Sequence, residues 1–387
     1  MATTHVLIVD ETTFKVHLEY MFAGTGSATD AVDFNNNPTT ALYAGRKFAG
    51  ENKLCGMIAD FGRVRFSDYI IFYLQAQSGI EGKFYGVFKV KSTEVFLENY
   101  STTQYLLSDL GKNLTFRVEI EPDTVYAKGV SEWEALDSIK GLTSPNQMLW
   151  SLIYRKLKGN RGNTMITLYE SERLIQIIRT ANSRTSLSGL KFTFNTATKE
   201  VESSSHAHSY SGITITNINV LPRLINKLNS NKAFESHLQA YITQNIGKST
   251  NTSLDKSIIP PNNIIEWIGN EVSCGVGMQR IDVCLSVIHN TQRTIIPIEL
   301  KAVEASKDNL RQIQRYVDWL EQYYLPNRPS DIQPMLITKK GMTYLSISST
   351  IWCDFLAFDS TNATLCKPIV VIEYELVGGN LIFSRVK

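Results

Sequence analysis

Two apolar segments in the second half of the chain each contain a carboxylate, and this feature constrains the fold more than any other. The segments read QRIDVCLSV, which contains Asp282, and TIIPIELKAVE, which contains Glu299. Their β-branched residues predict two strands, joined by a hairpin-like loop from His289 to Arg293. A carboxylate buried in such a strand is costly unless a cation lies beside it. The segments therefore predict paired strands that bring two acidic residues to one cation site.

Side chains alternate between the faces of a strand, so Glu299 and Lys301 share a face while Leu300 points into the core. Carboxylates and backbone carbonyls are the hard oxygen ligands that Mg²⁺ binds in proteins. We expect Asp282, Glu299 and the carbonyl of Leu300 to bind Mg²⁺, for which Mn²⁺ can substitute. Lys301 would then orient or deprotonate a metal-bound water and stabilise the charge of a phosphorane. These are the requirements of metal-assisted phosphodiester hydrolysis.

The rest of the second half alternates between helical and strand-like segments. We predict, in chain order, helices over 221–228 and 233–246, strands over 264–272, 280–288 and 294–301, a helix over 308–324, and strands over 335–338, 369–376 and 381–384. A segment around Trp352 has a mixed pattern. The central order is α-β-β-β-α-β.

Asp282, followed by Glu299-Leu300-Lys301 in that element order, resembles the PD-(D/E)XK nuclease superfamily. The resemblance covers residues 227–387, and it departs from the usual motif at Ile281, where a proline is common. It implies a restriction-endonuclease-like mixed sheet and a Mg²⁺-dependent endodeoxyribonuclease that acts on double-stranded DNA. A homodimer is the expected arrangement where both strands are cut.

Further residues of the second half match positions that members of this superfamily use. Glu235 lies on the helix before the sheet, Glu271 is a second acidic contributor, and Gln312 and Tyr316 form a QxxxY motif on the helix after Lys301. Two alternatives stay open at this point. Glu235 either binds metal or braces its helix, and the QxxxY pair either serves the site or covers an ordinary helix surface.

The first half is predicted to consist mainly of strands, over 6–9, 69–75, 84–91 and 115–121, with helices over 145–157 and 171–180. Ser171 is the expected N-cap of the second helix. Residues 24–40 are polar and rich in turn formers, which predicts a long loop or flap. His206 and His208 have no third ligand nearby in the sequence, so we expect an exposed loop there.

The strand segments of the first half, with the following LWSLIYRKLKGNRGN, resemble the PUA-like EVE/YTH group of small β-barrels. This resemblance implies a pocket that takes in one flipped, often modified, base between aromatic faces. The aromatic candidates for base binding are Trp133, Trp150, Tyr154 and Tyr126. The basic candidates for phosphate binding are Arg63, Arg65, Lys156, Lys158 and Arg161. The alternative for the aromatic residues is packing in the barrel core.

Length and composition set the frame for both predictions. A chain of 387 residues fits two domains, and we assign residues 1–200 to the PUA-like domain, 201–226 to a linker and 227–387 to the nuclease domain. The predicted class is thus α/β and α+β. The five cysteines show no paired spacing, which favours a reducing, prokaryotic cytoplasm. We expect no membrane segment and no secretion signal. The net charge of +2 neither supports nor excludes nucleic acid.

The sequence therefore predicts a metal-dependent DNA endonuclease, such as a restriction enzyme, whose N-terminal domain selects the target by a flipped or modified base. One alternative is a repair nuclease that acts on mismatched or branched DNA. Another is a nucleic-acid-binding module on a nuclease-derived scaffold without turnover. The sequence contains no GxxxxGK[ST] motif, which argues against ATP-driven DNA translocation by this chain.

Overall fold

A computed structural model describes residues 2–26, 48–77, 81–98, 104–153, 162–205, 208–212, 219–232, 234–275, 279–325, 331–341 and 349–387, without the side chains of 48–50 and 139. The chain forms two compact units, and the main change from the first to the second falls between Asn219 and Val220. This change lies within the stretch 201–226 that the sequence assigns to a linker. Most of the predicted loop over 24–40 lies outside the described residues.

The first unit is built on a mixed sheet of eight strands. Its strands are β1 (Thr4–Val9), β2 (Phe22–Thr25), β3 (Tyr69–Leu74), β4 (Lys83–Val90), β5 (Phe96–Leu97), β6 (Phe116–Pro122), β7 (Val130–Ser131) and β8 (Asn163–Ile166). The four strands predicted from aromatic and β-branched runs correspond to β1, β3, β4 and β6, so these predictions are confirmed.

The sheet of the first unit is curled and open rather than a closed barrel. Its main path runs β2-β6-β4-β3-β1-β8, with β5 beside β6 and β7 beside β4, and no described pairing joins β2 to β8. Only β1 and β3 run parallel. The two ends of the path nevertheless approach each other, because a Cβ on Gly162 would lie 1.6 Å from Oγ1 of Thr25. The glycine at this position is required for that close approach.

Helices contribute more to the first unit than the sequence predicts. They are α1 (Glu11–Tyr20), α2 (Phe48–Gly62), α3 (Leu107–Leu110), α4 (Glu132–Asp137), α5 (Trp150–Ile153) and α6 (Leu168–Ala181). A hairpin of β9 (Phe192–Asn195) and β10 (Glu200–Ser203) follows. The description of the first half as mainly strands is wrong, because α1 and α2 are both substantial helices.

Two predicted helices of the first unit need correction. Helix α6 begins at Leu168 rather than at Ser171. Its N-cap is Thr167, which forms a reciprocal capping box with Glu170. The predicted helix over 145–157 is instead a 3₁₀ turn at Pro145–Gln147, followed by the single turn of α5. Its remaining residues lie outside the described part of the chain.

The second unit contains a mixed sheet of six strands in sequential order. They are β11 (Ile264–Ser273), β12 (Arg280–His289), β13 (Gln292–Leu300), β14 (Met335–Lys339), β15 (Val370–Val377) and β16 (Asn380–Arg385). Strands β11 to β13 are antiparallel, β13 to β15 are parallel, and β16 returns antiparallel. All six predicted strands of this half are confirmed within two residues at each end.

The helices of the second unit are α7 (Leu221–Asn229), α8 (Glu235–Asn245), α9 (Thr252–Ile258), α10 (Lys307–Trp319) and α11 (Thr350–Thr361). The helix predicted over 308–324 changes to a π-helical turn at Leu320–Tyr324. The mixed segment around Trp352 forms α11. Between β13 and β14, α10 provides the crossover that two neighbouring parallel strands require. None of the helices in the described ranges is long and apolar enough to cross a membrane.

Candidate functional site

Asp282 and Glu299 meet where β12 pairs with β13. The register of these strands places Val283 opposite Ile298, so Asp282 and Glu299 occupy the next positions along the two strands. Oδ2 of Asp282 accepts a hydrogen bond of 2.8 Å from the backbone N–H of Leu300. This bond fixes one carboxylate oxygen of Asp282 against the strand that contains Glu299. The described residues provide no hydrogen-bond donor to the other oxygen.

Glu299 is almost fully buried, and both of its carboxylate oxygens have partners. Oε1 lies 2.6 Å from Nζ of Lys301, and Oε2 contacts the hydroxyl of Tyr316. The same hydroxyl lies 2.8 Å from the backbone carbonyl oxygen of Arg280. Tyr316 lies on α10, so the QxxxY helix does contribute a side chain to the group.

Lys301 follows directly after β13, and its side chain is 16% exposed. Burial works to lower its pKa, but the hydrogen bond and charge of Glu299 outweigh burial and raise the pKa above its usual value. Glu235, at the start of α8, has a carboxylate oxygen 4.0 Å from Nζ of Lys301. The backbone carbonyl of Lys301 accepts a hydrogen bond of 3.1 Å from Tyr374. The ammonium is therefore held in its charged form between two carboxylates.

The electrostatics of Asp282 are unfavourable as the site stands. Burial and the negative charge of Glu299 raise the pKa of Asp282 well above its usual value. The bond from Leu300 and the charge of Lys301 act in the opposite direction, and the charge of Glu271 adds to the rise. Two carboxylates thus face each other with a single lysine to compensate them. A divalent cation would relieve this repulsion.

Glu271 lies beside Asp282 on the neighbouring strand β11, between the residue pairs Asn270–Val283 and Val272–Ile281. Its Oε2 is 2.7 Å from Nη1 of Arg280. Gln239, on α8, donates a hydrogen bond of 2.7 Å to the carbonyl of Asp282 and lies 3.5 Å from Oε1 of Glu271. Glu271 therefore belongs to the same row of side chains as Asp282.

The donor set suits Mg²⁺ better than a closed metal cage. In the described ranges, no group of three or more His, Cys, Asp and Glu side chains is arranged to hold a metal. Mg²⁺ takes one or two carboxylates and keeps several waters. Asp282 and Glu299, with the backbone beside them, meet that requirement. Gln312 is half-buried on α10, and its side chain has no hydrogen bond to the described residues.

The candidate base-binding residues of the first unit differ in exposure. Trp133, on α4, is 66% exposed, whereas Trp150 is half-buried at the start of α5. Tyr126 is buried in the core cluster that includes Val6 and Phe84, so the core alternative holds for this residue. Tyr154 lies outside the described residues.

The candidate phosphate-binding residues are only partly available. Arg63 is fully buried, and its Nη1 lies 2.7 Å from Oδ1 of Asp60, so its guanidinium does not face solvent. Arg65 is half-buried, and its guanidinium donates to the backbone carbonyls of Gly62 and Val64. Lys156, Lys158 and Arg161 fall outside the described part of the chain. Of the two histidines, His208 stacks on Tyr20 and His206 lies outside it as well.

Sequence reasoning missed two residues that contact the site, Arg280 and Gln239. Arg280 precedes Asp282 by two positions in β12, so strand periodicity contains the signal that they share a face. Gln239 follows Glu235 by four positions in α8, which places both on one side of that helix.

Comparison with known proteins gives no assignment. No family model and no curated protein matches the sequence. Among solved structures, a hypothetical protein from Leishmania major matches 47% of this chain and 97% of its own, with 11% identity and a TM-score of 0.28. Human THYN1 in complex with DNA containing 5-methylcytosine matches 46% of this chain and 97% of its own, with 8% identity and a TM-score of 0.24.

A third match is the restriction endonuclease FokI bound to DNA. It covers 61% of this chain and 41% of the FokI chain, with 9% identity and a TM-score of 0.20. All three TM-scores are low, so no property of these proteins is transferred to this chain.

Proposed function

We propose that the second unit is the catalytic domain of a Mg²⁺-dependent DNA endonuclease, such as a restriction enzyme. The observation that carries the proposal is the meeting of Asp282, Glu299 and Lys301 at the β12–β13 edge. Two carboxylates that face each other beside a charged lysine form a site suited to a divalent cation and a phosphate. This arrangement is not expected in an ordinary sheet core, because burying like charges next to each other is costly.

Asp282, Glu299 and the carbonyl of Leu300 would hold the ion, which when bound polarises the scissile phosphate and lowers the pKa of a bound water. Burial works to lower the pKa of Lys301, but Glu299 outweighs burial and raises it. The ammonium would orient the attacking water and stabilise the phosphorane charge. Tyr316 holds one oxygen of Glu299 and so leaves the carboxylate a restricted set of orientations.

Target selection is assigned to the first unit. This unit presents Trp133 to solvent, and an exposed aromatic ring is the kind of group on which an extruded base stacks. A curled sheet of PUA-like type, reading a flipped or modified base, would give the nuclease its site preference. Double-stranded DNA is the proposed substrate, Mg²⁺ the proposed cofactor, and a homodimer the arrangement for cutting both strands.

The test uses the full chain with methylated and unmethylated plasmid, in Mg²⁺, in Ca²⁺ and in excess chelator. We expect cleavage in Mg²⁺ or Mn²⁺, binding without cleavage in Ca²⁺, and no cleavage in chelator. Asp282→Ala, Glu299→Ala and Lys301→Ala should each lower the cleavage rate by at least roughly 10²-fold. The matched controls are Asp308→Ala and Lys307→Ala on the exposed start of α10, which should cleave as wild type does.

Three kinds of outcome would contradict this function in different ways. Full activity in chelator, or a wild-type rate for Lys301→Ala, would rule out the metal-dependent mechanism. DNA binding without cleavage under every metal condition would indicate a binding module without turnover. Cleavage restricted to branched or mismatched duplexes would indicate a repair nuclease instead of a restriction enzyme.

A further inference from the structure

We infer that Arg280 contacts a DNA phosphate beside the cleavage site, and that Glu271 holds its guanidinium in place until DNA binds. The inference deepens the proposed nuclease function and depends on it. It names a binding residue that the D…ExK pattern does not include.

The position of Arg280 follows from strand geometry. Arg280 and Asp282 are two residues apart in β12, and the β11–β12 register is unbroken through Ser273–Arg280, Val272–Ile281 and Asn270–Val283. Side chains two apart in a regular strand share a face. Arg280 therefore emerges on the same side of the sheet as the carboxylate of Asp282.

The backbone of Arg280 is tied to the site as well. Its carbonyl oxygen lies 2.8 Å from the hydroxyl of Tyr316, which also contacts Glu299. One end of this residue is thus fixed by the group that orients a proposed metal ligand. The side chain of Arg280 is 36% exposed, more than the 16% of the Lys301 side chain. It is the more accessible of these two cations.

The partner of the guanidinium is the unusual part. Glu271 reaches Nη1 of Arg280 at 2.7 Å, yet its own backbone has φ of 51°, a left-handed conformation that non-glycine residues seldom adopt. An ion pair at the surface contributes little to stability. The strand thus accepts an unfavourable backbone conformation in order to place a carboxylate beside Asp282 and Arg280. Such local strain is often found at functional sites.

The charges around the Arg280–Glu271 pair indicate what the arginine can bind. Glu271, Asp282 and Glu299 form a row of three carboxylates across adjacent strands, which would repel a phosphate backbone. Lys301 is already engaged by Glu299. A guanidinium can offer parallel N–H donors to a phosphate, which a carboxylate partner on the protein can exchange for the DNA. A duplex that places its scissile phosphate at Asp282 would offer the next phosphate along the strand to Arg280.

The experiment measures binding of the full chain to a duplex in Ca²⁺, across a series of salt concentrations, for wild type, Arg280→Ala, Arg280→Lys and Glu271→Gln. Each phosphate contact contributes about 0.9 to the slope of log affinity against log salt. We expect Arg280→Ala to lower the slope by about 0.9 and Arg280→Lys to keep it. Glu271→Gln removes the competing carboxylate, so its slope should stay at the wild-type value or its affinity should rise. Arg311→Ala is the matched control, because Arg311 forms an exposed pair with Asp308 on α10, and it should bind as wild type.

A purely structural pair predicts a different pattern, in which Arg280→Ala and Glu271→Gln lower thermal stability and DNA affinity equally. That pattern, or an unchanged slope for Arg280→Ala in a protein whose wild type cleaves DNA, overturns the inference and leaves the nuclease function standing. Conversely, wild-type binding without cleavage removes the nuclease function, and the slope of Arg280→Ala still decides whether this residue meets a phosphate. A wild-type protein that binds no DNA removes both.

Discussion

Asp68 lies directly before β3 in the first unit and Asp282 lies on β12 in the second unit, and their surroundings differ. Asp68 accepts from the backbone N–H of Thr3 at 3.0 Å, from the backbone N–H of Arg65 at 2.8 Å and from Nε2 of His5 at 2.9 Å. Asp282 accepts one backbone N–H and faces a second carboxylate. The carboxylate of Asp68 is stabilised by three donors from its own unit, whereas the carboxylate of Asp282 is destabilised by a neighbouring negative charge. This difference separates a structural carboxylate from a candidate metal ligand.

Two buried histidines of the first unit and Asp282 of the second unit also respond to acid in opposite ways. Burial lowers the pKa of His17 to about 3, and burial lowers the pKa of His5 despite its bond to Asp68. Nε2 of His17 lies 3.3 Å from the backbone nitrogen and 3.4 Å from the carbonyl oxygen of Gly24, so burial rather than the lack of an acceptor lowers the pKa of His17. In the second unit, the pKa of Asp282 is raised. Burial thus disfavours protonation of these two histidines and favours protonation of Asp282, because in each case it penalises the charged form.

The largest expected effect is on the free energy of unfolding, when the two aspartates are replaced in turn. Asp68→Ala leaves three buried or half-buried N–H donors without their acceptor, and we expect a loss of about 3–5 kcal/mol in the free energy of unfolding. Asp282→Asn keeps an acceptor for Leu300 and removes the repulsion, so the metal-free protein should keep or gain stability at neutral pH. Urea denaturation without divalent cations measures both changes.

The exposed Asp308 on α10 supplies the control, because Asp308→Ala removes a carboxylate whose pairing lies at the surface. Its unfolding free energy should change by less than about 0.5 kcal/mol. Equal destabilisation by Asp68→Ala and Asp282→Asn would mean that Asp282 is also a structural carboxylate, against the comparison.

The second effect is a difference in pH dependence. A histidine with a lowered pKa binds fewer protons when folded, so its stability contribution is complete above pH 6.5 and is lost as pH falls towards about 3. Between pH 6.5 and 4.5, His17 alone should cost roughly 2–3 kcal/mol, at 1.36 kcal/mol per pH unit. Urea denaturation at several pH values should show a flatter profile for His17→Gln than for wild type. The same substitution at the exposed His289 should leave the profile unchanged.

Asp282 has the opposite sign. Its folded form binds more protons than its unfolded form between the usual and the raised pKa, so stability rises as pH falls through this range. The stability advantage of Asp282→Asn over wild type should therefore be present at neutral pH and shrink on acidification. An advantage that grows on acidification would contradict the raised pKa.

A smaller effect is expected at Tyr316, the residue that links the row of carboxylates to α10. Tyr316→Phe removes a hydrogen bond to an ionised group, worth about 1.5–3 kcal/mol. We expect roughly a tenfold or greater fall in the single-turnover cleavage rate, with DNA binding little changed, because Glu299 stays in place but loses a restraint. Tyr241→Phe is the control, since Tyr241 accepts from Asn251 away from this site. A fall in affinity with an unchanged rate would place Tyr316 in DNA binding instead.

How much of this was readable from sequence depends on the range of the interactions. The strands of the second unit were predictable because long β-branched runs surround Asp282 and Glu299, and strand periodicity put Glu299 and Lys301 on one face. The contact of Tyr316 with Glu299 requires α10 to cross the sheet, and only the spacing of its motif suggested that. The left-handed backbone at Glu271 has no sequence signal, since glutamate rarely adopts it.

The misses in the first unit have local causes. Helix α1 reads ETTFKVHLEY, whose threonines and valine favour strands, and it is nucleated by a capping box of Asp10 and Thr13 rather than by the usual glutamate. The resemblance to PUA-like barrels with a basic surface makes Arg63 a phosphate candidate, but Asp60 pairs with it in the interior. Burial of a charge depends on a partner that folding brings close, and sequence spacing alone does not rank the candidates.

The last prediction concerns whether the first unit has a functional surface at all. Trp133 is 66% exposed on α4, so Trp133→Ala should change the unfolding free energy by less than about 0.5 kcal/mol. If its ring stacks on an extruded base, the same substitution should weaken DNA binding by about 1–3 kcal/mol and reduce the preference between methylated and unmethylated duplexes. Trp150→Ala is the informative control, because Trp150 is half-buried and its replacement should lower the free energy of unfolding through lost packing.

A Trp133→Ala protein that binds and discriminates as wild type does would remove this tryptophan from target selection. Selectivity that survives in a chain starting at Leu221 would move target selection into the second unit, and the satisfied charges of the first unit would then be purely structural.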